Sequence, residues 1–110
     1  MRPPGYRLPA QHPGVYIRRE LRARGWSQAD LALILGRPPR LISELVNGKR
    51  SITLRTAIEL GEAFTSPTAF NWMVMQNGYD VSRALPKSPT EIDKRLAAFE
   101  RRRKKEVRGG

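Results

Sequence analysis

The hydrophobic positions of this chain recur three and four residues apart in successive segments, the spacing of amphipathic α-helices. Ile17 and Leu21 predict a first helix over residues 13–24, and Gly25 can end it in the left-handed conformation. The same spacing continues beyond Gly25 and predicts five further helices, so the expected fold class is all-α.

The second and third helices are expected close together, in SQADLALILGRPPRLISELVNGKR at residues 27–50. Ser27 can cap the second helix and Gly36 can end it. Proline is well tolerated in the first turn of a helix, so Pro38 and Pro39 indicate where the third helix begins, before it ends at residues 47–48. The apolar face of the second helix consists of Leu31, Ala32 and Leu35. Two short helices joined by a tight turn predict a helix-turn-helix.

The third helix has one apolar face and one polar face. Ile42, Leu45 and Val46 are expected to point inward. The polar side chains, which can reach base edges and phosphates, are Arg40, Ser43, Glu44 and Asn47, followed by Lys49 and Arg50. Helix pairs of this kind also occur in all-α domains that never bind nucleic acid, so the pattern alone leaves both interpretations open.

Short motifs connect this helix pair to a known family. HPG stands at residues 12–14, NGKRSIT at 47–53 and TSPTAFNW at 65–72. Together with SQADLA at the start of the second helix, they resemble the Cro/repressor-like helix-turn-helix family and, within it, the HigA-type antitoxins. The resemblance covers residues 12–83 and implies a five-helix Cro/repressor-like domain.

The resemblance also implies partners and site residues. Antitoxins of this type form homodimers, read a double-stranded DNA operator at their own promoter, and neutralise a HigB-like toxin, a RelE-type ribonuclease. In that mechanism, the residues near bases are Pro39, Arg40, Ser43 and Glu44. The residues on the DNA backbone are Gln28, Arg37, Asn47, Lys49 and Arg50.

Two other functions remain open. A stand-alone phage or mobile-element repressor would use the same DNA chemistry without a toxin. An interaction module that partners a metallopeptidase or an RNA-binding complex is a third interpretation, because similar helix-turn-helix segments resemble those fused to ImmA/IrrE-type zinc peptidases. A toxin-sized reading frame beside the gene would favour the antitoxin.

The fourth and fifth helices follow the recognition segment. Thr53 can cap a fourth helix over residues 54–64, whose apolar side is Leu54, Ala57, Ile58, Leu60 and Phe64. Ser66 and Pro67 predict the start of a fifth helix that continues to residue 76, before Asn77 and Gly78. This helix is apolar on more than one face, which favours a homodimer over a helix that only completes its own core. The expected dimer interface is Phe70, Trp72, Met73 and Met75.

SPTE at residues 88–91 predicts a sixth helix with Ile92, Leu96 and Phe99 on a narrow apolar stripe. The five adjacent cations at residues 101–105 are expected to fray it into a basic tail, either solvated or bound to phosphates. The predicted organisation is an N-terminal arm at 1–11, the helix-turn-helix and dimerisation domain at 12–83, and the basic helix and tail at 84–110. The arm is either a disordered leader or a segment lying on DNA or a partner.

Charge and composition narrow the function further. The net charge of +11 is concentrated at the two ends of the chain. Residues 1–25 carry +5 (six basic and one acidic side chains), residues 26–86 carry +1 (six basic and five acidic) and residues 87–110 carry +5 (nine basic and four acidic). Positive ends favour polyanion partners without supplying sequence specificity. The first-helix arginines Arg18, Arg19, Arg22 and Arg24 form either a solvated face or a set of phosphate contacts.

The residue content also argues against several other classes of protein. With no cysteine and one histidine, the expectation is no metal, no cofactor and no enzyme activity. No apolar run reaches the length of a membrane span, and a cytoplasmic location is expected.

Overall fold

The computed structural model describes residues 10–109, in which six α-helices follow one another without a strand. They are α1 Gly14–Arg24, α2 Gln28–Leu35, α3 Pro39–Val46, α4 Leu54–Phe64, α5 Ala69–Ala84 and α6 Glu91–Gly109. The all-α class and the helix order predicted from the hydrophobic spacing are confirmed. Residues 1–9 of the predicted N-terminal arm lie outside the described residues.

The ends of α1, α2 and α4 follow the local signals in the sequence. Gly25 and Gly36 adopt φ of 68° and 65°, the left-handed conformation in which glycine has no steric cost. Ser27 Oγ accepts from the Asp30 amide at 3.0 Å, while the Asp30 carboxylate accepts from the Ser27 amide at 2.8 Å, which completes a capping box. Thr53 caps α4 as predicted.

The hydrophobic core comes from α1 to α5 and the loop before α4. Its buried apolar side chains are Ile17, Leu21, Leu31, Ala32, Leu41, Ile42, Leu45, Val46, Ile52, Ala57, Leu60, Phe64 and Trp72. The predicted inward faces of α1 and α3 are confirmed. For α4 the prediction was wrong at Leu54 and Ile58, which are 65% and 45% exposed. Thr56 is buried beside Ala57, Leu60 and Phe64, the three members of the predicted side that do face the core.

The prediction for α5 was wrong at both ends. The helix starts at Ala69 because Thr68, and not Ser66, forms a capping box with Asn71. It continues through Asn77 and Gly78 to Ala84. Tertiary and side-chain contacts on either side of the glycine outweigh its low helix propensity. Gln76 Nε2 donates to the Asp80 carboxylate at 2.9 Å, one turn further on.

The prediction for α6 was also wrong in its start and its end. Thr90 and Asp93 form the reciprocal cap, with Thr90 N to Asp93 Oδ2 at 2.8 Å and Asp93 N to Thr90 Oγ1 at 3.0 Å, so the helix begins at Glu91. It continues through the cationic run to Gly109. Consecutive helical residues point about 100° apart, which separates adjacent charges, and cations near a helix C-terminus complement its dipole.

Candidate nucleic-acid interface

The helix-turn-helix consists of α2, the turn at Arg37 and Pro38, and α3. Pro38 is the N-cap of α3 and Pro39 occupies its first turn, where the missing N–H leaves no hydrogen bond unmade. Leu41, Ile42, Leu45 and Val46 anchor one side of α3 in the core. The opposite side therefore faces outward, with Pro39, Arg40 and Asn47 exposed and Ser43 and Glu44 half-buried.

An ion-pair cluster occupies part of this outer face. Arg50 Nη2 lies 2.8 Å and Arg50 Nε 3.1 Å from Glu44 Oε1, and Arg40 Nε lies 3.7 Å from Glu44 Oε2. The hydrogen bond from Arg50, reinforced by the charges of Arg50, Arg40 and Lys49, lowers the pKa of Glu44 from its ordinary value. A residue predicted to contact bases thus neutralises two cations that would otherwise face phosphates.

Glu44→Gln is expected to increase affinity for random-sequence duplex DNA, because it frees Arg40 and Arg50. The salt dependence of binding should steepen by about 0.9 per freed cation. Glu62→Gln, which removes the same charge from α4, is the matched control. Titration against duplex DNA at several salt concentrations measures the effect, and equal slopes in the two variants would contradict it.

The effect of Glu44→Gln is expected to depend on pH, because the wild-type carboxyl group titrates and the glutamine amide does not. A lowered pKa keeps the Glu44 carboxylate ionised below the ordinary value of 4.5. Its pairing with the arginines is therefore present above 4.5 and is lost as the pH falls through the lowered pKa. The difference in DNA affinity between wild type and Glu44→Gln should persist at pH 4.5 and vanish once the pH falls below the lowered pKa of Glu44.

A second polar group surrounds the end of α3. Arg18 Nη2 donates to Asn47 Oδ1 at 3.3 Å, and Asn47 Nδ2 donates to Ser43 Oγ at 3.4 Å. All three side chains belong to the outer surface, and Lys49 is exposed immediately after the helix. The fold thus brings Arg18, from the first helix, beside the predicted reading residues. Its spacing in α1 does not distinguish it from the other three arginines there.

His12 links the start of α1 to the loop after α3. Its Nδ1 accepts from the Gly14 amide at 2.9 Å, which places the ring hydrogen on Nε2, and Nε2 donates to the Arg50 carbonyl at 3.0 Å. The ring also meets Tyr79 of α5 edge-on, with 5.0 Å between centroids. The HPG motif therefore positions the loop that carries Lys49 and Arg50.

Gln76 holds the same loop from the other side and was missed by sequence reasoning. It is 2% exposed, and its Oε1 accepts from the Ile52 amide at 2.7 Å. Its position one turn after Trp72, on the inward face of a helix, is the signal that could have identified it. A buried amide here satisfies a backbone N–H that would otherwise be costly to bury.

Three residues predicted to contact DNA are less available than the sequence suggests. Two of them have partners within the chain, and the third is half-buried. Arg37 Nη1 makes a 2.7 Å ion pair with Glu59 of α4, at 18% and 21% side-chain exposure. Gln28 is half-buried at the start of α2. Arg24, one of the first-helix arginines, bonds Glu20 at 2.6 Å and the Phe64 carbonyl at 2.8 Å, so it joins α1 to the end of α4. A phosphate contact by Arg37 stays a prediction and would compete with Glu59.

The four predicted dimer residues divide into three groups. Phe70 is 75% exposed. Met73 and Met75 are half-buried and pack against the core. Trp72 is 0% exposed, so its place at a dimer surface was wrong: its ring packs inside one chain, 6.1 Å from Phe64 between centroids.

The structure offers no metal site and no membrane-spanning helix within residues 10–109. Residues 10–109 contain no group of three or more acidic or histidine side chains that could hold a metal ion. Over the same range no helix is both long and apolar enough to cross a membrane.

A core-anchored α3 with an outward polar face, preceded by α2 and a tight turn, defines a helix-turn-helix protein. In agreement, the family model described as helix-turn-helix matches residues 17–70. An addiction module antidote protein of the HigA family from Coxiella burnetii is similar in structure, with a TM-score of 0.69 and 35% identity, over 79% of this chain and 95% of that one. The chain belongs to the HigA family of helix-turn-helix antitoxins.

Two further proteins are similar to this chain. The antitoxin HigA of Pseudomonas aeruginosa, solved with the higBA promoter, has a TM-score of 0.64 and 33% identity over 67% of this chain and 80% of its own. Virulence-associated protein A′ of Dichelobacter nodosus is 35% identical over 72 residues, 66% of this chain. The matched part spans 63% of the length of that relative.

Proposed function

We propose that this protein is the antitoxin of a type II toxin–antitoxin pair. As a homodimer it binds operator DNA at its own promoter and represses the operon, and it neutralises a HigB-like ribonuclease toxin. The observation that carries the proposal is the outward polar face of α3, bordered by Arg18, Lys49 and Arg50. The Pseudomonas aeruginosa relative bound to the higBA promoter supports it.

We distinguish residues proposed to contact base edges from residues proposed to contact the DNA backbone. Pro39, Arg40, Ser43 and Glu44 lie on the part of α3 that would enter the major groove and are proposed to face base edges. The residues proposed to contact the backbone are Gln28, Arg37, Asn47, Lys49 and Arg50. Arg18 is proposed as a further backbone contact, because it is hydrogen-bonded to Asn47. Backbone contacts position a protein, while base contacts select its sequence.

The dimer is supported by an apolar stripe on the outer side of α5. Phe70, Val74 and Val81 are 75%, 53% and 51% exposed, at i, i+4 and i+11 on one face. Gly78 lies in the same stripe with open space around it, which allows another helix to approach closely. A two-fold dimer through this face would present two copies of α3 to successive major grooves about 34 Å apart.

The proposal is tested by co-expression with the neighbouring gene product, followed by footprinting on the shared promoter. Copurification of a ribonuclease whose activity the chain inhibits, together with a protected pseudo-palindrome, is the expected result. Protection without a toxin partner would indicate a stand-alone repressor. Binding that shows no sequence preference at moderate salt would overturn operator recognition.

Arg40→Ala is expected to relax specificity at one base position by about 1–3 kcal/mol, if its guanidinium reads guanine. Lys49→Ala is the control, because a lost phosphate contact weakens binding to all sequences alike. Competition binding against a set of single-base operator variants separates the two effects. An unchanged sequence preference in Arg40→Ala would remove Arg40 from the reading residues.

A further inference from the structure

Helix α6 contributes nothing to the core of this protein. Of the side chains described along it, at residues 91–107, only Asp93 is half-buried and the others are exposed. Its 19 residues extend about 28 Å at 1.5 Å per residue. The molecule measures 70 × 22 × 22 Å, far longer than it is wide. A helix of this length with no core function is available for a partner.

Four cations of α6 lie together on one side of the helix. Lys94, Arg101, Lys104 and Lys105 stand at i, i+7, i+10 and i+11, so they share one face, here called the cationic face. The apolar residues Ile92, Leu96, Phe99 and Val107 occupy the opposite side. The acidic residues Glu91, Asp93, Glu100 and Glu106 lie outside the cationic face.

Three of the four cations on the cationic face lack an ion-pair partner, in contrast to the arginines in and next to the helix-turn-helix that pair with Glu44 and Glu59. In the helix-turn-helix, Glu44 pairs with Arg40 and Arg50, and Glu59 pairs with two further arginines. On α6 the described contacts include one ion pair, Lys94 with Glu91 at 3.5 Å. Within residues 10–109, Arg101, Lys104 and Lys105 have none. Unpaired cations are the groups that release counterions from DNA on binding.

We infer that the cationic face of α6 binds the phosphodiester backbone of duplex DNA outside the operator bases read by α3. The inference rests on the proposed DNA-binding function. From Lys94 to Lys105 the face is about 16 Å long, enough to span several phosphates of a duplex with one charge per about 1.7 Å of axis. α6 thereby supplies sequence-independent affinity that the segment 26–86, with a net charge of +1, lacks.

A second copy of α6 fits the helix less well. The apolar stripe is interrupted by Arg103, seven residues after Leu96 and four after Phe99, where a continuous coiled-coil seam requires an apolar side chain. Residues 87–110 carry a net charge of +5, so two such helices repel each other. A polyanion such as DNA would instead neutralise the positive charge of this segment.

The test compares two triple variants that remove the same charge from different sides of α6. The first variant, Arg101→Gln/Lys104→Gln/Lys105→Gln, removes three of the four positive charges of the cationic face. The second, Arg95→Gln/Arg102→Gln/Arg103→Gln, leaves all four in place. Glutamine is a good helix former, so circular dichroism should show unchanged helix content in both. Binding is measured as a function of salt, on a promoter duplex, on the same promoter extended by one helical turn at each end, and on a random duplex.

Loss of three phosphate contacts should flatten the salt slope by about 2.7 in the first variant, on promoter and random DNA alike. Wild type should then lose about 40-fold more affinity than the variant between 50 and 200 mM salt. The preference for promoter over random DNA should not change, and only wild type and the second variant should gain affinity on the extended duplex.

The inference would be overturned if wild type and the first variant had the same salt dependence of DNA binding. It would also be overturned if the two variants lost the same amount of DNA affinity. Tighter binding of the wild-type protein to vesicles of anionic lipid than to duplex DNA, lost in the first variant, would also overturn it. If wild type itself shows no preference for the promoter, the proposed operator function fails, while the slopes on random DNA still decide the role of α6.

Discussion

Trp72→Ala is expected to lower the free energy of unfolding by about 3–5 kcal/mol, the cost of removing a large aromatic side chain from a packed core. Trp72 is fully buried and borders Phe64, which stacks on Trp26 at 5.9 Å between centroids. The cavity would therefore open between α4, α5 and the α1–α2 junction. Chemical denaturation at one fixed protein concentration measures the loss, because association changes apparent stability.

Phe70→Ala is the control, from the same helix but 75% exposed. A surface substitution of this kind is expected to change monomer stability by less than about 0.5 kcal/mol. It should instead weaken self-association, measured by sedimentation at several concentrations. Trp72→Phe should cost less than Trp72→Ala, since the indole N–H has no hydrogen-bond partner in the described part of the chain. If Trp72→Ala weakened association and left unfolding unchanged, Trp72 would belong to the interface after all.

Gly14→Ala is expected to cost about 2–4 kcal/mol, because the added methyl group has no room. A Cβ at Gly14 would lie 2.1 Å from the Leu45 carbonyl oxygen and 2.9 Å from that of Val46. Both contacts are backbone atoms, which cannot rotate away as a side chain would. The start of α1 and the end of the recognition helix must therefore separate, which should also reduce operator binding.

Gly36→Ala provides the matched glycine control. Gly36 has φ of +65°, and an added Cβ would meet no atom within 4 Å, so the variant has backbone strain alone, about 1–2 kcal/mol. Urea denaturation and operator titration of both variants separate the two causes. A Gly14→Ala protein as stable as Gly36→Ala would show that α1 and α3 can move apart at little cost.

Local chemistry accounts for the parts of the fold that were predicted correctly. Ser27, Gly25 and Gly36 act on backbone groups within a few residues, so their effect is the same in any tertiary context. The inward faces of α1 and α3 follow from strict spacing of residues such as Ile17 and Leu45. Those signals sufficed to place the helix pair and its outward polar face.

The errors occurred where distant parts of the chain compete with local signals. Asn77 and Gly78 resemble a helix end, but Gln76 and Tyr79, on either side of them, contact the loop at Ile52 and the ring of His12. Those contacts keep α5 helical. The apolar α5 sequence likewise could not reveal which of its residues face inward, so Trp72 was assigned to the dimer surface.

The helix-turn-helix, its capping, its outward polar residues and the concentration of positive charge at the two ends follow from neighbouring residues and composition, so they can be predicted from the sequence. Which cations lack an ion-pair partner depends instead on the tertiary structure. Glu44 of α3 neutralises Arg50 and Glu59 of α4 neutralises Arg37, while α6 stays outside the core and its Arg101, Lys104 and Lys105 have no ion-pair partner within residues 10–109. Pairing between distant residues depends on how helices pack, and no spacing along the chain encodes it.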